Sequence, residues 1–414
     1  MKFANLYVDS GVFKNMGEDM MINSIFNLYE YMGIKREDVI RIPVSSLRTY
    51  DEEDVILPLN YPFYGNFSIS SKIHPVFLGI SFLHKSIIDS MHLSEYEPIG
   101  CRDLHTYRLL QKEGIDSYIN GCMTITLPRR ERDNSANKVY LVDIPEELRE
   151  YVPDWMKKNC VEKTQNFFGE TVASCTEAFT RSQYEEYIQN ARLVISSRLH
   201  CILPCAAAGI PTILTLKTKS FRYNWLENIM PIYTPENYNK IDWNPQPLEF
   251  EKEKKILLAH AASRIWAEYH QLTSRRIINK LYTNNLEDYS IDSMINAVTH
   301  MKKNWKKDRV GFYILWGVTQ TAELLQDYIQ KHYPYMKLKG IIDIFHKQKW
   351  RGVNTSSVDI IENNEDIVFV TAESANEYAI RYMSDKEINN YIICWDNPRT
   401  KLKDEKGCLV KCMK

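Results

Sequence analysis

Residues 191–211 read ARLVISSRLHCILPCAAAGIP and gather side chains able to do chemistry within a short span. The run opens as an apolar strand, LVIS at 193–196, and passes at once into an apolar helix at 200–208. Ser197, Arg198 and His200 therefore fall at the strand's carboxyl end, the edge where open α/β sheets bind ligands. The first turn of the helix presents unbonded N–H groups and the positive end of its dipole, a natural seat for an anion. Arg198 adds a planar fork of donors suited to carboxylate or phosphate. His200 supplies a group able to carry a proton near neutral pH. This set favours chemistry on an anionic substrate. A surface arginine beside a helix-capping histidine has the same spacing, so the pattern alone leaves both readings open.

The elements around this run must hold it in place. Gly209 sits where the helix should end and Pro211 prevents its continuation, while Pro204 is expected in the first turn. TILTL at 212–216 is the next strand, completing a βαβ unit with a right-handed crossover. Upstream, apolar runs at 3–8, 39–43, 75–81, 99–102 and 139–144 alternate with helical patterns such as 24–32. Short apolar runs separated by helices predict parallel strands covered on both faces. A helix at 183–190, a loop at 233–247 and a long charged helix at 249–281 follow. The basic stretch 302–309 reads as a link to a further unit with strands at 310–315, 340–344, 366–371 and 391–395 and a helix at 321–329. We expect three parts: 1–150 and 151–300, each Rossmann-like, and a Rossmann-like accessory domain at 305–414.

The chain has 414 residues, 44% hydrophobic and 25% charged, a balance that supports packed cores. Its formal net charge of −1 argues against a nucleic-acid partner, which would need a basic excess. No apolar run approaches the roughly 20 residues that span a bilayer, and residues 1–9 lack a signal-peptide core. The nine cysteines include no CxxC pair, so we expect a reduced, cytoplasmic setting and no metal site. Gly317 follows a strand without GxGxxG, which argues against a dinucleotide cofactor; Asp343 sits where a ribose-binding acid would fall, or simply ends a strand.

Four ordered segments carry a family resemblance: NMGEDMM at 15–21, IGCRDLHTYRLL at 99–110, GCMTITL at 121–127 and ISSRLHCILPCAAAGIP at 195–211. Together they resemble the polysaccharide pyruvyl transferases over about residues 1–235, with Glu18 where the family usually has Asp. The resemblance implies a GT-B-like pair of Rossmann-like domains facing a cleft. It implies transfer of an enolpyruvate-derived group from phosphoenolpyruvate to a sugar of a surface polysaccharide, without a cofactor. By the same resemblance, His200 is the catalytic candidate, and Arg102, Arg198 and Lys219 hold the donor. Lys217 is nearly as well placed as Lys219, and Ser197, Asn15 and His84 are secondary candidates. A strand is expected at 121–127. A lipid-linked acceptor at the inner membrane face, with peripheral membrane association, is a further expectation.

His200 is expected to protonate the donor's methylene carbon, with the helix N-terminus lowering its pKa and the bound anion raising it more. His84 and His105 lie near strand ends, in reach of an acceptor or merely half-buried. Asp19 and Asp103 read foremost as capping residues, Cys201 as packing, and FRYNW at 221–225 as packing rather than a sugar platform. Two other functions compete: a GT-B glycosyltransferase using a nucleotide sugar, and a non-catalytic scaffold of polysaccharide assembly.

Overall fold

The apolar runs become parallel strands because each is buried on both faces and can satisfy its backbone only against neighbours. The computed structural model describes residues 1–9, 11–63, 68–131, 136–171, 173–281, 288–343, 349–362 and 364–394. These fall into two compact units, one ending at Trp266 and the other beginning at Ala267.

The first unit opens with β1 (Lys2–Tyr7), β2 (Gly11–Asn15), α1 (Met16–Tyr31), β3 (Val39–Pro43), β4 (Val55–Leu59) and β5 (Pro62–Phe63). It continues with β6 (Ile73–Phe82), α2 (Lys85–Asp89), β7 (Ile99–Cys101), α3 (Leu104–Lys112) and β8 (Ser117–Ile119). The sheet runs β3-β1-β4-β6-β7-β8, with β5 beside β6, and its pairings are parallel.

A second sheet in the same unit is built from β9 (Lys138–Val142), α4 (Asp154–Lys157), β10 (Cys160–Lys163), β11 (Asn166–Thr171) and α5 (Ala173–Asn190). Then come β12 (Ala191–Ser196), α6 (Leu199–Ala207), β13 (Thr212–Thr215) and β14 (Ile232–Tyr233). Its order, β10-β9-β12-β13-β14, is parallel and reverses direction between β9 and β12. Such a reversal opens a crevice at the carboxyl ends of the two strands. β11 leaves this sheet and pairs antiparallel with β2, tying the two sheets together.

Several sequence expectations change here. Residues 121–127 are not a strand: Met123–Thr126 is a 3-10 turn. Gly121, at φ 74, leaves the extended path, and Thr126 Oγ1 donates to Met123 O at 2.7 Å. Helix α1 starts eight residues before the expected 24, because Asn15 caps it by accepting from Gly17 N at 2.9 Å. Asp19 is no cap; it is fully buried and pairs with Lys14 at 3.1 Å. Asp103 does cap α3, accepting from Thr106 N at 2.8 Å. Pro204 lies inside α6, beyond its first turn. Gly209, at φ 74, closes α6 as expected: its N–H reaches Ala206 O and that of Ile210 reaches Cys205 O.

Helix α7 (Glu251–Leu281) follows, and the division between the units falls within it. The second unit holds α8 (Asp288–Asn304), β15 (Gly311–Trp316), α9 (Gln320–His332), β16 (Met336–Ile342), β17 (Lys349–Trp350) and β18 (Val353–Ser356). It ends with β19 (Ile367–Val370), α10 (Asn376–Asp385) and β20 (Tyr391–Ile393). The order β17-β18-β16-β15-β19-β20 is parallel apart from β17, and one buried apolar layer lies on each face. The expected link at 302–309 begins in helix, since α8 runs to Asn304. Trp395, the expected end of the last strand, lies outside the described residues.

Candidate active site

Helix α6 begins at the carboxyl end of β12 and presents His200 in its first turn, with only 7% of the residue exposed. Pro204 has no N–H, so the carbonyl of His200, four residues earlier, loses its helical donor. Gln165 fills that place: its Nε2 donates to His200 O at 3.4 Å. Gln165 O in turn accepts from Met16 N at 2.9 Å, at the start of α1. The first turns of α1 and α6 thus meet around His200. Gly17 permits the approach, because a β-carbon there would stand 3.1 Å from His200 Nδ1. His200 Nε2 is buried and makes no hydrogen bond with the described residues.

Arg102 arrives from the first sheet, one residue past β7, and is 1% exposed. Its N–H donates to Ile80 O at 2.7 Å, and Nη1 lies 3.4 Å from Met21 Sδ on α1. Arg222 arrives from the other side, in a 3-10 turn, Phe221–Leu226. That turn is held by buried Trp225, whose Nε1 donates to Arg222 O at 3.1 Å, and by Tyr223, whose hydroxyl donates to Ser197 O at 3.2 Å. Burial first, and then the charges of Arg102 and Arg222, hold the His200 imidazole well below its ordinary range. The ring is neutral at pH 7 in this state, inside a positively biased pocket.

Arg198 caps α6 with its backbone, and its Nε donates to Asp143 Oδ2 at 3.0 Å. Asp143 follows β9, so this ion pair spans the reversal point of the second sheet. Asp143 has φ 46, an unusual conformation that Asp tolerates better than most residues. Its Oδ2 also accepts from Gln165 N at 2.9 Å, and its carbonyl accepts from Ser197 Oγ at 2.5 Å. An open cavity of about 410 Å³ adjoins it, lined by Asp143, Arg149, Glu162, Lys163 and Thr164 among others.

The other candidates are placed differently. Asn15 caps α1 beside Gly17 and so borders the pocket. Lys217 is exposed. Lys219 extends to the surface and pairs with Glu227 at 3.0 Å. His84 is exposed at the start of α2 and makes no capping bond. His105 Nε2 stands 3.3 Å from Leu83 O, and its ring packs on Phe221 with centroids 4.3 Å apart. Cys201 is buried in the apolar core, as packing requires.

Sequence reasoning missed Arg222 and Asp143. Arg222 sits inside the aromatic run FRYNW and drew no notice as a charge; Asp143 ends an apolar strand as many acids do. Among the described residues, no group of three or more His, Cys, Asp and Glu side chains is arranged to hold a metal ion. Likewise no helix among them is long and apolar enough to cross a membrane.

Fold and site together define a mixed α/β protein whose parallel sheets bring buried Arg102 and His200 to their carboxyl edges, with half-buried Arg222 near enough to bias the imidazole. Residues 52–216 match the family model for polysaccharide pyruvyl transferase. The match includes Arg102, Asp143, Arg198 and His200, and is narrower than the resemblance over 1–235. Comparison with curated proteins gives no significant match. Among solved structures, the chain is similar to a functionally uncharacterized protein from Klebsiella pneumoniae subsp. pneumoniae NTUH-K2044. The identity is 11%, with 54% of this chain and 88% of that one covered and a TM-score of 0.33.

Proposed function

We propose that the first unit transfers an enolpyruvate-derived group from phosphoenolpyruvate to a hydroxyl pair on a sugar of a surface polysaccharide or its lipid-linked precursor. In this reading its two parallel sheets act as the halves of a GT-B-like enzyme. The observation that carries it is that buried Arg102 and half-buried Arg222, from separate elements, both bring positive charge to bear on buried His200, where two helix N-termini meet. A small donor bearing both a carboxylate and a phosphate needs several cationic donors. Arg102 and Arg222, both near enough to bias His200, fill that need, and Arg198, two residues before His200, is aimed by Asp143. Lys219 joins the set only on leaving Glu227, and Lys217 is exposed in the same loop.

Burial, then the two guanidinium charges, depress His200; the donor's negative charge acts against both, so the imidazole gains a proton when the donor binds. That proton goes to the methylene carbon and gives a methyl group and an oxocarbenium-like centre. One sugar hydroxyl attacks this centre and loses its proton. Phosphate then leaves, and the second hydroxyl takes its place to close the ketal. Protons released by the two hydroxyls balance those taken up by the methyl carbon and by phosphate. The open cavity beside Asp143, lined by Arg149, Glu162, Lys163 and Thr164 among others, suits a hydroxyl-rich acceptor.

Incubation with phosphoenolpyruvate and a panel of galactosyl and N-acetylhexosaminyl acceptors tests the reading. Phosphate release that depends on acceptor is expected, falling about 10²–10⁴-fold in His200→Asn. Consumption of a nucleotide sugar in its place, or no phosphate release with any acceptor, would overturn it.

A further inference from the structure

The second unit carries a surface that neither the family match nor the proposed reaction uses. Val310, Phe312 and Tyr335 are 80%, 50% and 58% exposed. They are neighbours rather than scattered, because Gly311 pairs with Met336 and Phe312 with Lys337 at the starts of β15 and β16. Side chains alternate along a strand, so Val310 and Phe312 share one side with Tyr335 and Lys337, while Met336 turns into the core. Isolated exposed apolar residues are ordinary; three abutting on paired strands are not.

Basic residues lie at the same end of the sheet, those of α8 and α9 on the face that Met336 turns to and Lys337 on the apolar side. In a parallel α/β layer the helices run against the strands, so helix C-termini gather where strands begin. Lys302 and Lys303 end α8, and Lys306, Lys307 and Arg309 lie on the way to β15. The four lysines are exposed, and Asp308 is the acid among them. Lys331, at the end of α9, belongs to the same cluster: after burial, Lys331 and Lys307 together lower the His332 imidazole. Exposed acids at this end, Glu365, Asp385 and Glu387, lie instead before β19 and around the end of α10. Glu365 comes nearest to β15, two residues before Ile367, the partner of Tyr313, so at this end basic groups outnumber acids without being segregated from them.

We propose that this edge docks the protein on the surface of an anionic lipid bilayer, with Val310, Phe312 and Tyr335 entering the headgroup region and the lysines meeting acidic headgroups. Charge complementarity selects the occupant, since five Lys and Arg between 302 and 309 face one acid. Apolar insertion combined with a polybasic patch is what stable but reversible membrane attachment requires. The inference rests on the second unit alone and stands or falls apart from the proposed reaction.

Flotation of the full chain with vesicles decides it. The protein should float with mixed phosphatidylcholine–phosphatidylglycerol vesicles at low salt, hardly with phosphatidylcholine alone, and less at about 0.15 M salt. Lys306→Gln/Lys307→Gln should lower partitioning about fivefold for each charge removed. Phe312→Ser should lower it further and leave the salt dependence intact. All these positions are at the surface, so thermal melting should match the parent. Failure to float at low salt, equal binding to neutral vesicles, or unchanged binding of the double lysine variant would each refute the proposal. So would a lipid-free dimer abolished by Phe312→Ser, or binding to duplex DNA in preference to vesicles.

Discussion

A β-carbon added to Gly17 would stand 3.0 Å from His200 Cβ and 3.1 Å from its Nδ1, so these two residues set each other's place. Gly17 lies in the first turn of α1 at helical backbone angles, where alanine has the better intrinsic propensity. Gly17→Ala should therefore leave the melting temperature unchanged or slightly raised. The imidazole, though, must shift by a few tenths of an ångström. Turnover of phosphoenolpyruvate should fall on the order of tenfold, mostly in kcat. Steady-state kinetics beside a thermal melt checks both halves, and an unchanged kcat would show that the ring's position is not critical.

The Arg198–Asp143 pair predicts a different signature. Asn tolerates the backbone of Asp143, at φ 46, and still offers an acceptor to Gln165 N–H. Asp143→Asn should thus fold normally but lose the charge that aims the guanidinium. We expect kcat/KM for phosphoenolpyruvate to drop on the order of tenfold, through KM more than kcat.

Lys14 and Asp19 form an ion pair with side chains 1% and 0% exposed, joined by Thr176 and Thr180 of α5. Removing one partner strands the other charge in the core. Asp19→Ala should cost about 3–5 kcal/mol in urea unfolding, whereas replacing both partners with apolar residues of similar size should recover much of it. A cost below 1 kcal/mol would mean the pair is not fully desolvated.

Stability should fall on acidification below the ordinary histidine range. Burial and neighbouring arginines lower His200 well below its usual value and His260 to about 4. Both rings stay neutral in the folded chain while the unfolded chain takes up protons below about 6.5. The unfolded state therefore binds more protons in that window, and stability rises with pH through it. Each histidine contributes a slope of about 1.4 kcal/mol per pH unit, and His260→Gln should flatten the curve between pH 6.5 and about 4.

How much of this was legible beforehand depends on whether local chemistry or distant packing decided it. The strand–turn–helix at 191–211 was readable because apolar runs, Gly209 and Pro211 act locally. Val55–Leu59 was not, since Pro58 argues against a central strand; it pairs with β1 only through Val55 and Ile56, short of the proline. The antiparallel tie of β2 to β11 joins residues 11–15 to 166–171, a pairing no local pattern announces. At the site, Arg198 and His200 stand out from the strand–helix junction itself, and Arg102 from motif resemblance. Arg222 was not, because its relevance comes from a turn folded back over Ser197 by Tyr223 and Trp225. Gln165 became relevant only once Pro204 was seen to leave a carbonyl for it.

The central claim is that an anionic three-carbon donor binds beside His200 and changes its protonation. Nuclear magnetic resonance of imidazole-labelled protein, with His200→Asn to assign the signal, measures this with and without saturating phosphoenolpyruvate. We predict a ring that stays neutral at pH 6.5 alone and whose midpoint rises with the donor bound. An unmoved His200 signal under saturating donor would contradict the account.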